Sequence, residues 1–347
     1  MVEFSSFEKD KMKKLTEKDV CMIIATYNRA EDLNRTLSTL IKNKNIPGKI
    51  IIVDQSKDDK TKKVVGEYKK KLPVEYIYCK IPSADISMNM GIKKARNKFE
   101  LILTTADDVD FLVGYIKSAL KEFNKHQEVM AIGGTNTLEE YNFTKLSSKL
   151  NNLLFKIFFL PFKENHKFRI IGPYGNTSSP KVEKEIKDAE WIPGFNMTTR
   201  SEVYKDYLWP EIRGYNVIDD IDSSYSIYRK YGKGSLVITP KCKVFHRFSQ
   251  AARYAEKKRI FVNHEDHFSY YYRHFKNFGG TIKLIISLVG IILGNAIRLL
   301  IKPNKNNFLN LKFNIGAIAY CIKHKEDIKN KRYRTFLNKD LSMKDRL

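Results

Sequence analysis

The sequence has few cysteines, and their arrangement suggests neither a cross-link nor a metal site. The 347 residues include four cysteines, which lie far apart in the chain: Cys21, Cys79, Cys242 and Cys321. Such a pattern is typical of free thiols in a reducing compartment and not of a disulfide framework or a zinc site. The polar residues 1–14 also lack the apolar core of a secretory signal. We therefore expect the main folded part to be cytosolic.

Acidic residues are much scarcer than basic ones. Asp and Glu number 39 against 63 Lys and Arg, which gives a formal net charge of +24. Such a charge predicts an anionic partner, namely nucleic acid, anionic lipid headgroups or a phosphorylated substrate. No helix-turn-helix, zinc-finger spacing or RNP-like aromatic motif is present, so we expect no specific nucleic-acid partner. A general bias towards Lys and Asn in the composition is the alternative source of part of the charge.

Long hydrophobic runs are also scarce. The most apolar segment is 281–302, and its charge-free part, 284–297, is 14 residues long. A bilayer span needs about 20 apolar residues, so Lys283 and Arg298 would have to snorkel to lengthen it. The pattern favours an interfacial or hairpin-like helix, with a true span and a soluble core helix as alternatives. Gly290 and Gly294 have the GxxxG spacing, which is weak evidence for helix pairing on its own.

Apolar strand-like runs alternate with helical patterns in the first hundred residues. Strands are predicted at 20–25, 50–53, 74–79 and 100–104, and helices at 30–42, 61–71 and 88–98. The strands are apolar on both faces, as in a parallel sheet covered by helices. Each is followed by polar residues, which would meet at one edge of the sheet. The predicted fold class is α/β, with a Rossmann-like, mostly parallel sheet flanked by helices.

Composition also predicts the domain organisation. We expect a flexible lead at 1–18, a main domain at 19–249 that contains a helical insertion at 139–190, and a helical, basic C-terminal region at 250–347. Within the insertion, apolar residues recur at helical spacing from Leu146 to Phe158 with lysines between them. This helix is expected to cover the main domain; a membrane-facing amphipathic helix is the alternative.

Two groups of carboxylates and one pair of histidines are candidate sites. The predicted strand at 101–104 leads into Asp107, Asp108 and Asp110, and such oxygens suit a divalent cation that holds a diphosphate. The alternative is a loop whose Asp residues cap the next helix. A second acidic group, Asp219, Asp220 and Asp222, could equally be an exposed helix start. His264 and His267 are expected to lie on a solvated helix face, with metal binding as the alternative.

Several motifs occur together in one order along the chain. They are IIATYNR at 23–29, IIIVDQSKDD at 50–59, the stretch 83–91, TADDV at 105–109, GFNMTTR at 194–200, DDIDSSYSIYRKYG at 219–232 and KVFH at 243–246. Taken together, residues 20–246 resemble an inverting family 2 glycosyltransferase with the GT-A fold. Two positions depart from the usual family pattern: Ala106 replaces the first Asp of the metal motif, and Asp219 replaces a Glu.

The resemblance implies a role for particular residues. The nucleotide of a nucleotide-sugar donor would be bound by Thr26, Tyr27, Asn28, Arg29, Asp54, Ser83, Asn89 and Asp107, with Asp54 at the base. A divalent metal, Mn²⁺ or Mg²⁺, would be bound by Asp108 and His246. Asp220 would be the general base, and the acceptor side would include Gly194, Phe195, Asn196 and Asp219.

The resemblance also implies a reaction. We expect transfer of a sugar to a hydroxyl of a lipid-linked saccharide acceptor, in cell-surface glycan or glycoprotein assembly. With the basic charge and the apolar C-terminal segment, it predicts a peripheral or shallowly inserted protein on an anionic membrane at the cytoplasmic face. The alternatives are a polyprenyl-phosphate glycosyl synthase of the same fold and a non-catalytic basic protein that binds membrane or nucleic acid. Residues 250–254 echo the QxxRW signature of processive synthases, which we interpret as coincidence; the oligomeric state is not predicted.

Overall fold

The computed structural model describes residues 13–137, 146–179, 181–212, 214, 216–249 and 255–331. The strands are β1 (Val20–Thr26), β2 (Lys49–Asp54), β3 (Val74–Tyr78), β4 (Leu101–Thr105), β5 (Val109–Phe111), β6 (Ala131–Asn136), β7 (Phe162–Lys163), β8 (Thr177–Ser178), β9 (Asn196–Arg200) and β10 (Leu236–His246). The α-helices are α1 (Ala30–Lys42), α2 (Lys60–Tyr68), α3 (Ala84–Ala95), α4 (Tyr115–Lys125), α5 (Leu146–Ile157), α6 (Val203–Asp206), α7 (Asp219–Tyr231), α8 (Glu256–His274), α9 (Phe278–Ile301), α10 (Lys305–Lys323) and α11 (Lys325–Lys329). The echo of the QxxRW signature at 250–254 lies outside the described residues.

Eight strands form one mixed sheet in the order β3-β2-β1-β4-β9-β6-β10-β5. The first four strands in this order are parallel, as the buried apolar runs predicted. Strand β9 is antiparallel to both of its neighbours, β4 and β6, and β5 is antiparallel to β10. The predicted α/β fold with a mostly parallel sheet is confirmed.

Alternation along the strands divides the core into two apolar layers. In β1, Met22 and Ile24 face one layer while Cys21 and Ile23 face the other, because successive side chains of a strand point to opposite faces. Helices α1, α2 and α4 cover the first layer, and helix α3 covers the second with α7. The sheet is therefore buried on both faces, and ligands can reach it only at its ends.

Some predicted boundaries differ from the structure for local reasons. Helix α3 begins at Ala84, four residues before the predicted start, because the Ser83 hydroxyl accepts a hydrogen bond from the Ile86 N–H and caps it. The lead is also not flexible up to residue 18. The Leu15 N–H donates to the Asn124 side chain in α4 (2.8 Å), and Leu15 packs against the core. The single capped turn at Glu17–Asp19 gave no periodic signal in the sequence.

The second half of helix α5 presents apolar side chains to solvent and not to the main domain. Leu153, Leu154, Phe155 and Ile157 are all exposed. After the helix, Phe158 packs against Gly290 of α9. Helical spacing correctly predicted the helix, but amphipathic spacing alone cannot say which surface covers the apolar face.

The C-terminal region is helical, as predicted, and has a small core of its own. Tyr174 from the insertion packs there with Phe268, Tyr271, Leu284 and Cys321 from helices α8, α9 and α10. Helix α9 is long and apolar enough to cross a membrane, and 17% of its most apolar 18-residue window is buried. The expectation of a soluble core helix is therefore excluded, since most of this segment faces outward.

Two histidines of α8, His264 and His267, pack against the chain and do not lie on a solvated helix face: His264 is buried and His267 is half-buried. Nδ1 of His264 lies 2.7 Å from the Tyr174 hydroxyl and its Nε2 lies 2.9 Å from the Asn314 side-chain oxygen. His267 is hydrogen-bonded to the Pro173 carbonyl at 2.8 Å. Burial lowers the pKa of both histidines to about 4. Their ring nitrogens bind the chain itself, so they join α8 to the insertion and to α10.

A buried ion pair joins the main sheet domain to the C-terminal helices. The Asp222 carboxylate in α7 lies 2.8 Å from Nη2 of Arg273 and 2.6 Å from Nε2 of His274, both in α8. Burial opposes the ionisation of Asp222, but Arg273 and His274 outweigh it and lower the pKa of this carboxyl.

We predict that Asp222→Ala lowers the free energy of unfolding by roughly 3 kcal/mol at neutral pH, because it removes the buried carboxylate that faces Arg273 and His274. A carboxyl whose folded-state pKa is depressed stabilises the protein above its unfolded pKa and loses that effect as pH falls. The difference between wild type and variant should therefore shrink below about pH 4 in urea unfolding curves. Asp206→Ala, which removes an exposed partner of Lys230, should leave the curve unchanged. An equal effect of the two substitutions would contradict this assignment.

Candidate functional site

The ends of five strands converge at one edge of the sheet. Thr26 and Asp54 end the parallel strands β1 and β2 and are paired in register. Thr105 ends β4 and pairs with Asn196 at the start of the antiparallel β9. His246 ends β10 and pairs with Val109. The carboxyl ends of the parallel strands and the start of β9 thus bring most of the predicted site residues to a single edge.

Asp107 anchors the loop that follows β1. Its Oδ2 accepts a hydrogen bond from the Thr26 hydroxyl (2.7 Å) and its Oδ1 lies 3.2 Å from Nη1 of Arg29. Burial raises the pKa of Asp107 to about 6, although Arg29 and Thr26 favour the ionised form. Tyr27 and Arg29 are half-buried and Asn28 is exposed, so this loop offers side chains to a ligand while Asp107 holds it in place.

Asp108 and His246 form the candidate metal pair. Oδ1 of Asp108 lies 3.1 Å from Nε2 of His246, and Oδ2 accepts a hydrogen bond from the Ser249 N–H (2.8 Å). Burial opposes the ionisation of Asp108, but the adjacent imidazole and the Ser249 N–H outweigh it and hold the pKa at about 2. An ionised carboxylate therefore lies beside an imidazole, which is a donor set that Mn²⁺ accepts.

Arg247 fixes the turn that carries these aspartates, and the sequence analysis did not identify it. Its N–H donates to the Asp108 carbonyl (3.0 Å) and its Nη2 donates to the Asp107 carbonyl (3.3 Å). Its Nη1 is paired with Asp110, which Arg35 also contacts (2.7 Å). Asp110 therefore does not cap a helix but lies in β5 between two arginines. The only signal in the sequence was a basic residue directly after His246.

Asp54 supports the neighbouring loop from inside the protein. The carboxylate is fully buried, and its oxygens accept hydrogen bonds from the Ser56 N–H (2.8 Å) and the Tyr76 hydroxyl (2.9 Å). The Ser56 hydroxyl in turn accepts from the N–H of Asn28, whose φ of 54° is left-handed. In this arrangement Asp54 shapes the loop around Asn28, and its contact with a base stays a prediction.

Ser83 and Asn89 form hydrogen bonds with the chain itself, and their predicted role in nucleotide binding stays a prediction. The Ser83 hydroxyl caps α3 and donates to the Ile212 carbonyl. The Asn89 side chain forms two hydrogen bonds with the backbone of Trp209, at 2.9 Å and 3.0 Å. Both residues are almost fully buried. They hold the segment 209–212 against α3, and spacing alone could not separate this role from ligand binding.

Asp220 at the start of α7 is the candidate base. Its Oδ2 accepts a hydrogen bond from the Gly194 N–H and its Oδ1 from the Ile221 N–H, both at 2.8 Å. Burial raises the pKa of Asp220, and these two N–H groups act in the opposite direction. A Cβ on residue 194 would lie 2.7 Å from the Cβ of Asp220, so only glycine permits this approach. The carboxylate is thus oriented by backbone groups on two sides.

The other predicted acceptor-side residues divide into two roles. Oδ1 of Asp219 accepts from the Asp220 N–H (2.8 Å), and burial together with the charges of Asp220, Asp85 and Asp266 raises the pKa of Asp219. Asn196 is fully buried within the sheet, where its Oδ1 accepts from the Gly134 N–H (2.9 Å). Asn196 therefore supports the sheet, and its predicted place on the acceptor side stays a prediction.

Phe195 connects the two parts of the site. Its carbonyl accepts a hydrogen bond from the Thr105 hydroxyl (2.8 Å), two residues before Asp107. Its ring centroid lies 5.2 Å from that of His246, whose other side faces the ring of Phe248 at 4.1 Å. Gly194, the preceding residue, binds Asp220. A continuous series of contacts therefore runs from the metal pair to the candidate base.

The described residues contain no group of three or more His, Cys, Asp or Glu side chains arranged to hold a metal ion. The donor set of the candidate pair nevertheless fits one, because Mn²⁺ accepts both a carboxylate oxygen and an imidazole nitrogen. Nδ1 of His246 is buried without a hydrogen-bond partner, whereas Oδ1 of Asp108 faces Nε2 of His246 at 3.1 Å. Buried polar atoms are usually satisfied, so an unpaired nitrogen at this position calls for an explanation. Two protein ligands also leave coordination positions open for oxygens of a substrate.

Comparison with protein families confirms the resemblance found in the sequence. Residues 21–175, just under half of the chain, match the model of Glycosyl transferase family 2. The matched residues include the β1 loop and the Asp107–Asp108 turn. A search of curated proteins gives no match.

Solved structures resemble the whole fold. S. aureus TarS 1-349 in complex with UDP-GlcNAc is 13% identical, with a TM-score of 0.51, and the alignment covers 91% of this chain and 93% of that one. The mannosyltransferase PcManGT from Pyrobaculum calidifontis, in complex with GDP-Man and Mn²⁺, is 13% identical, with a TM-score of 0.49 and coverage of 88% and 75%. At such identities the likeness to TarS shows the fold alone, which is that of GT-A glycosyltransferases.

We predict that Gly194→Ala reduces glycosyl transfer at least about tenfold, since misplacing a catalytic group by about an ångström has a large effect on rate. The added Cβ would displace the Asp220 side chain, as the 2.7 Å approach requires. The initial rate of transfer is the measurement. Gly66→Ala is the matched control, because a Cβ there meets nothing within 4 Å. Unchanged activity of Gly194→Ala would contradict the placement of Asp220 in the site.

Proposed function

We propose that this protein is an inverting, metal-dependent glycosyltransferase that moves a sugar from a nucleoside-diphosphate sugar to a hydroxyl of a saccharide acceptor. The observation that carries the proposal is the contact series from Asp108 and His246 through Phe195 to Asp220. It brings a donor set for a cation and an oriented carboxylate to one edge of the sheet. The reaction needs both groups on opposite sides of one sugar.

Asp108 and His246 would hold the divalent cation, Mn²⁺ or Mg²⁺. When bound, such a cation supplies positive charge that stabilises the leaving diphosphate. The exposed and half-buried side chains of the β1 loop, residues 27–29, would contact the nucleotide. Arg29 is already oriented by Asp107 and adds a second positive charge on this side. TarS was solved with UDP-GlcNAc, so a UDP-sugar is the first donor to test.

Asp220 would take the proton of the acceptor hydroxyl as its oxygen attacks the anomeric carbon. Attack from the side opposite the diphosphate inverts the configuration at that carbon. Burial raises the pKa of Asp220, which strengthens it as a base, while the Gly194 and Ile221 N–H groups hold its oxygens in place. A phosphate acceptor is already anionic and needs no base. The oriented Asp220 therefore favours a hydroxyl acceptor over bare polyprenyl phosphate.

The acceptor and the cellular site are finer parts of the same proposal. We place the reaction at the cytoplasmic face of a membrane, with a lipid-linked saccharide as acceptor in cell-surface glycan or glycoprotein assembly. Two observations support this placement: the long apolar helix α9, most of which faces outward, and the net charge of +24, which favours an anionic surface.

We predict that Asp220→Asn lowers the rate of transfer to a saccharide acceptor by about 10²–10⁴-fold, because the amide cannot accept the hydroxyl proton. Metal-dependent binding of a nucleoside diphosphate should be retained, as titration calorimetry with Mn²⁺ would show. Asp206→Asn is the control for an exposed aspartate.

Three outcomes would overturn the proposal. Equal rates for Asp220→Asn and wild type would show that Asp220 is not the general base. Transfer to bare polyprenyl phosphate by both wild type and Asp220→Asn would identify a polyprenyl-phosphate synthase instead. Absence of any metal-dependent heat in the wild type would favour a non-catalytic binding protein.

A further inference from the structure

Helix α9 has two faces of different character. Its inner face, with Gly280, Leu284, Ser287 and Gly290, is buried. Its outer face carries a continuous row of exposed apolar side chains, which we name the α9 stripe: Phe278, Ile282, Ile285, Val289, Leu293, Ile297 and Leu300. These residues recur every three or four positions, so they share one side of the helix.

The α9 stripe is large and contains no charged residue. Its members are between 41% and 85% exposed. A helix of 24 residues is about 36 Å long, so the stripe extends over a distance comparable to the diameter of a small domain. Exposed apolar patches of this extent usually mark a surface that another body covers. Helix α5, whose chain continues into Phe158 against α9, adds four more exposed apolar side chains to the molecule.

The contacts of the inner face argue against α9 as a bilayer span. The Thr281 hydroxyl is hydrogen-bonded to the Tyr271 hydroxyl of α8 (2.8 Å), and the Ser287 hydroxyl lies 3.3 Å from the Phe159 carbonyl. Helix α8 also carries Arg273, which is paired with Asp222 of the sheet domain. If α9 spanned the membrane, the segments packed against it would have to enter the hydrocarbon with it or separate from α9. Entry into the hydrocarbon is costly because α8 carries charged side chains.

The glycines of α9 do not support pairing with the α9 helix of a second copy of the chain. A Cβ on Gly290 would lie 2.5 Å from the Phe158 side chain, so this glycine is covered from within the molecule. Only Gly294 remains open. Close helix pairing of the GxxxG type needs both glycines on one free face, and the fold removes one of them.

The charge around the stripe matches an anionic lipid surface. Arg298, Lys302 and Lys305 are exposed at the end of α9 and the start of α10. Across 276–331 the chain has only two acidic residues, Glu326 and Asp327, against a larger basic set: Lys276, Lys283, Arg298, Lys302, Lys305, Lys312, Lys323, Lys325, Lys329 and Lys331. Basic side chains beside an apolar helix face are typical of helices that lie in the interface of an anionic membrane.

We propose that the α9 stripe is a one-sided membrane-docking surface, which lies in the plane of one leaflet and positions the enzyme on anionic lipid. The inference deepens the membrane part of the proposed function. Membrane docking depends on no step of the glycosyl transfer. The docking proposal can therefore fail while the catalytic proposal stands, and the catalytic proposal can fail while docking stands.

The first test is co-sedimentation of the full chain with vesicles, without donor or acceptor. Wild type should bind vesicles of phosphatidylcholine with phosphatidylglycerol more tightly than vesicles of phosphatidylcholine alone. Val289→Glu/Leu293→Glu should weaken binding more than about tenfold, because it places two charges in the apolar stripe. Asn97→Glu/Gln127→Glu makes the same charge change at exposed positions of the sheet domain and should bind like wild type. Arg298→Glu/Lys302→Glu should lose only the preference for anionic vesicles.

The second test measures depth. Spin labels on cysteines introduced at Ile282, Val289 and Ile297 lie along the stripe, while the four native cysteines are buried. A helix in the plane of the leaflet places all three labels at one depth of about 5–10 Å. A label at Val289 near the bilayer centre, with the other two near opposite surfaces, would show a span and overturn the proposal. Equal vesicle binding by Val289→Glu/Leu293→Glu and wild type would also overturn the proposal. So would a wild-type protein that is a dimer in solution and a variant that is a monomer.

Discussion

The arrangement of the site depends on how Arg247 binds the turn after β4. Its backbone N–H and its guanidinium donate to the carbonyls of Asp108 and Asp107, and the same guanidinium is paired with Asp110. These contacts tie the end of β10 to the turn, so His246 and Asp108 lie together although 138 positions separate them in the sequence. A buried arginine with several partners fixes the orientation of the segments it contacts as well as their separation, because the N–H donors of its planar guanidinium have fixed directions. Without this constraint the carboxylate and the imidazole would each be ordinary loop residues.

The second constraint is the backbone of 194–195. Thr105 holds the Phe195 carbonyl from the metal side, and the Gly194 N–H holds the Asp220 carboxylate from the acceptor side. Residues 194 and 195 therefore connect the end of β4 to the start of α7. The same α7 helix is fixed from behind by the Asp222 pairs with α8. The C-terminal helices thus support the helix that carries the candidate base, and α9 adds the surface that we propose docks on lipid.

Much of the fold could be predicted from the sequence, because buried parallel strands give continuous apolar runs and α1 was found at its observed bounds. The metal pair came from the family resemblance rather than from spacing. The sequence could not show which polar residues also serve the chain's own backbone: Ser83, Asn89 and Asn196 look the same in a motif whether they contact a ligand, the backbone or both. Exposure of α5 and burial of His264 were missed for a related reason, since helical periodicity defines a face but not what lies against it.

The central claim is that one sugar lies between the Asp108–His246 pair and Asp220. A crystal structure with Mn²⁺ and a non-hydrolysable nucleotide sugar tests it most directly, with anomalous scattering to locate the metal. The account predicts Mn²⁺ bound to Asp108, His246 and diphosphate oxygens, with the anomeric carbon facing the Asp220 carboxylate. A metal elsewhere, or a sugar whose anomeric carbon is separated from Asp220 by folded protein, would contradict it.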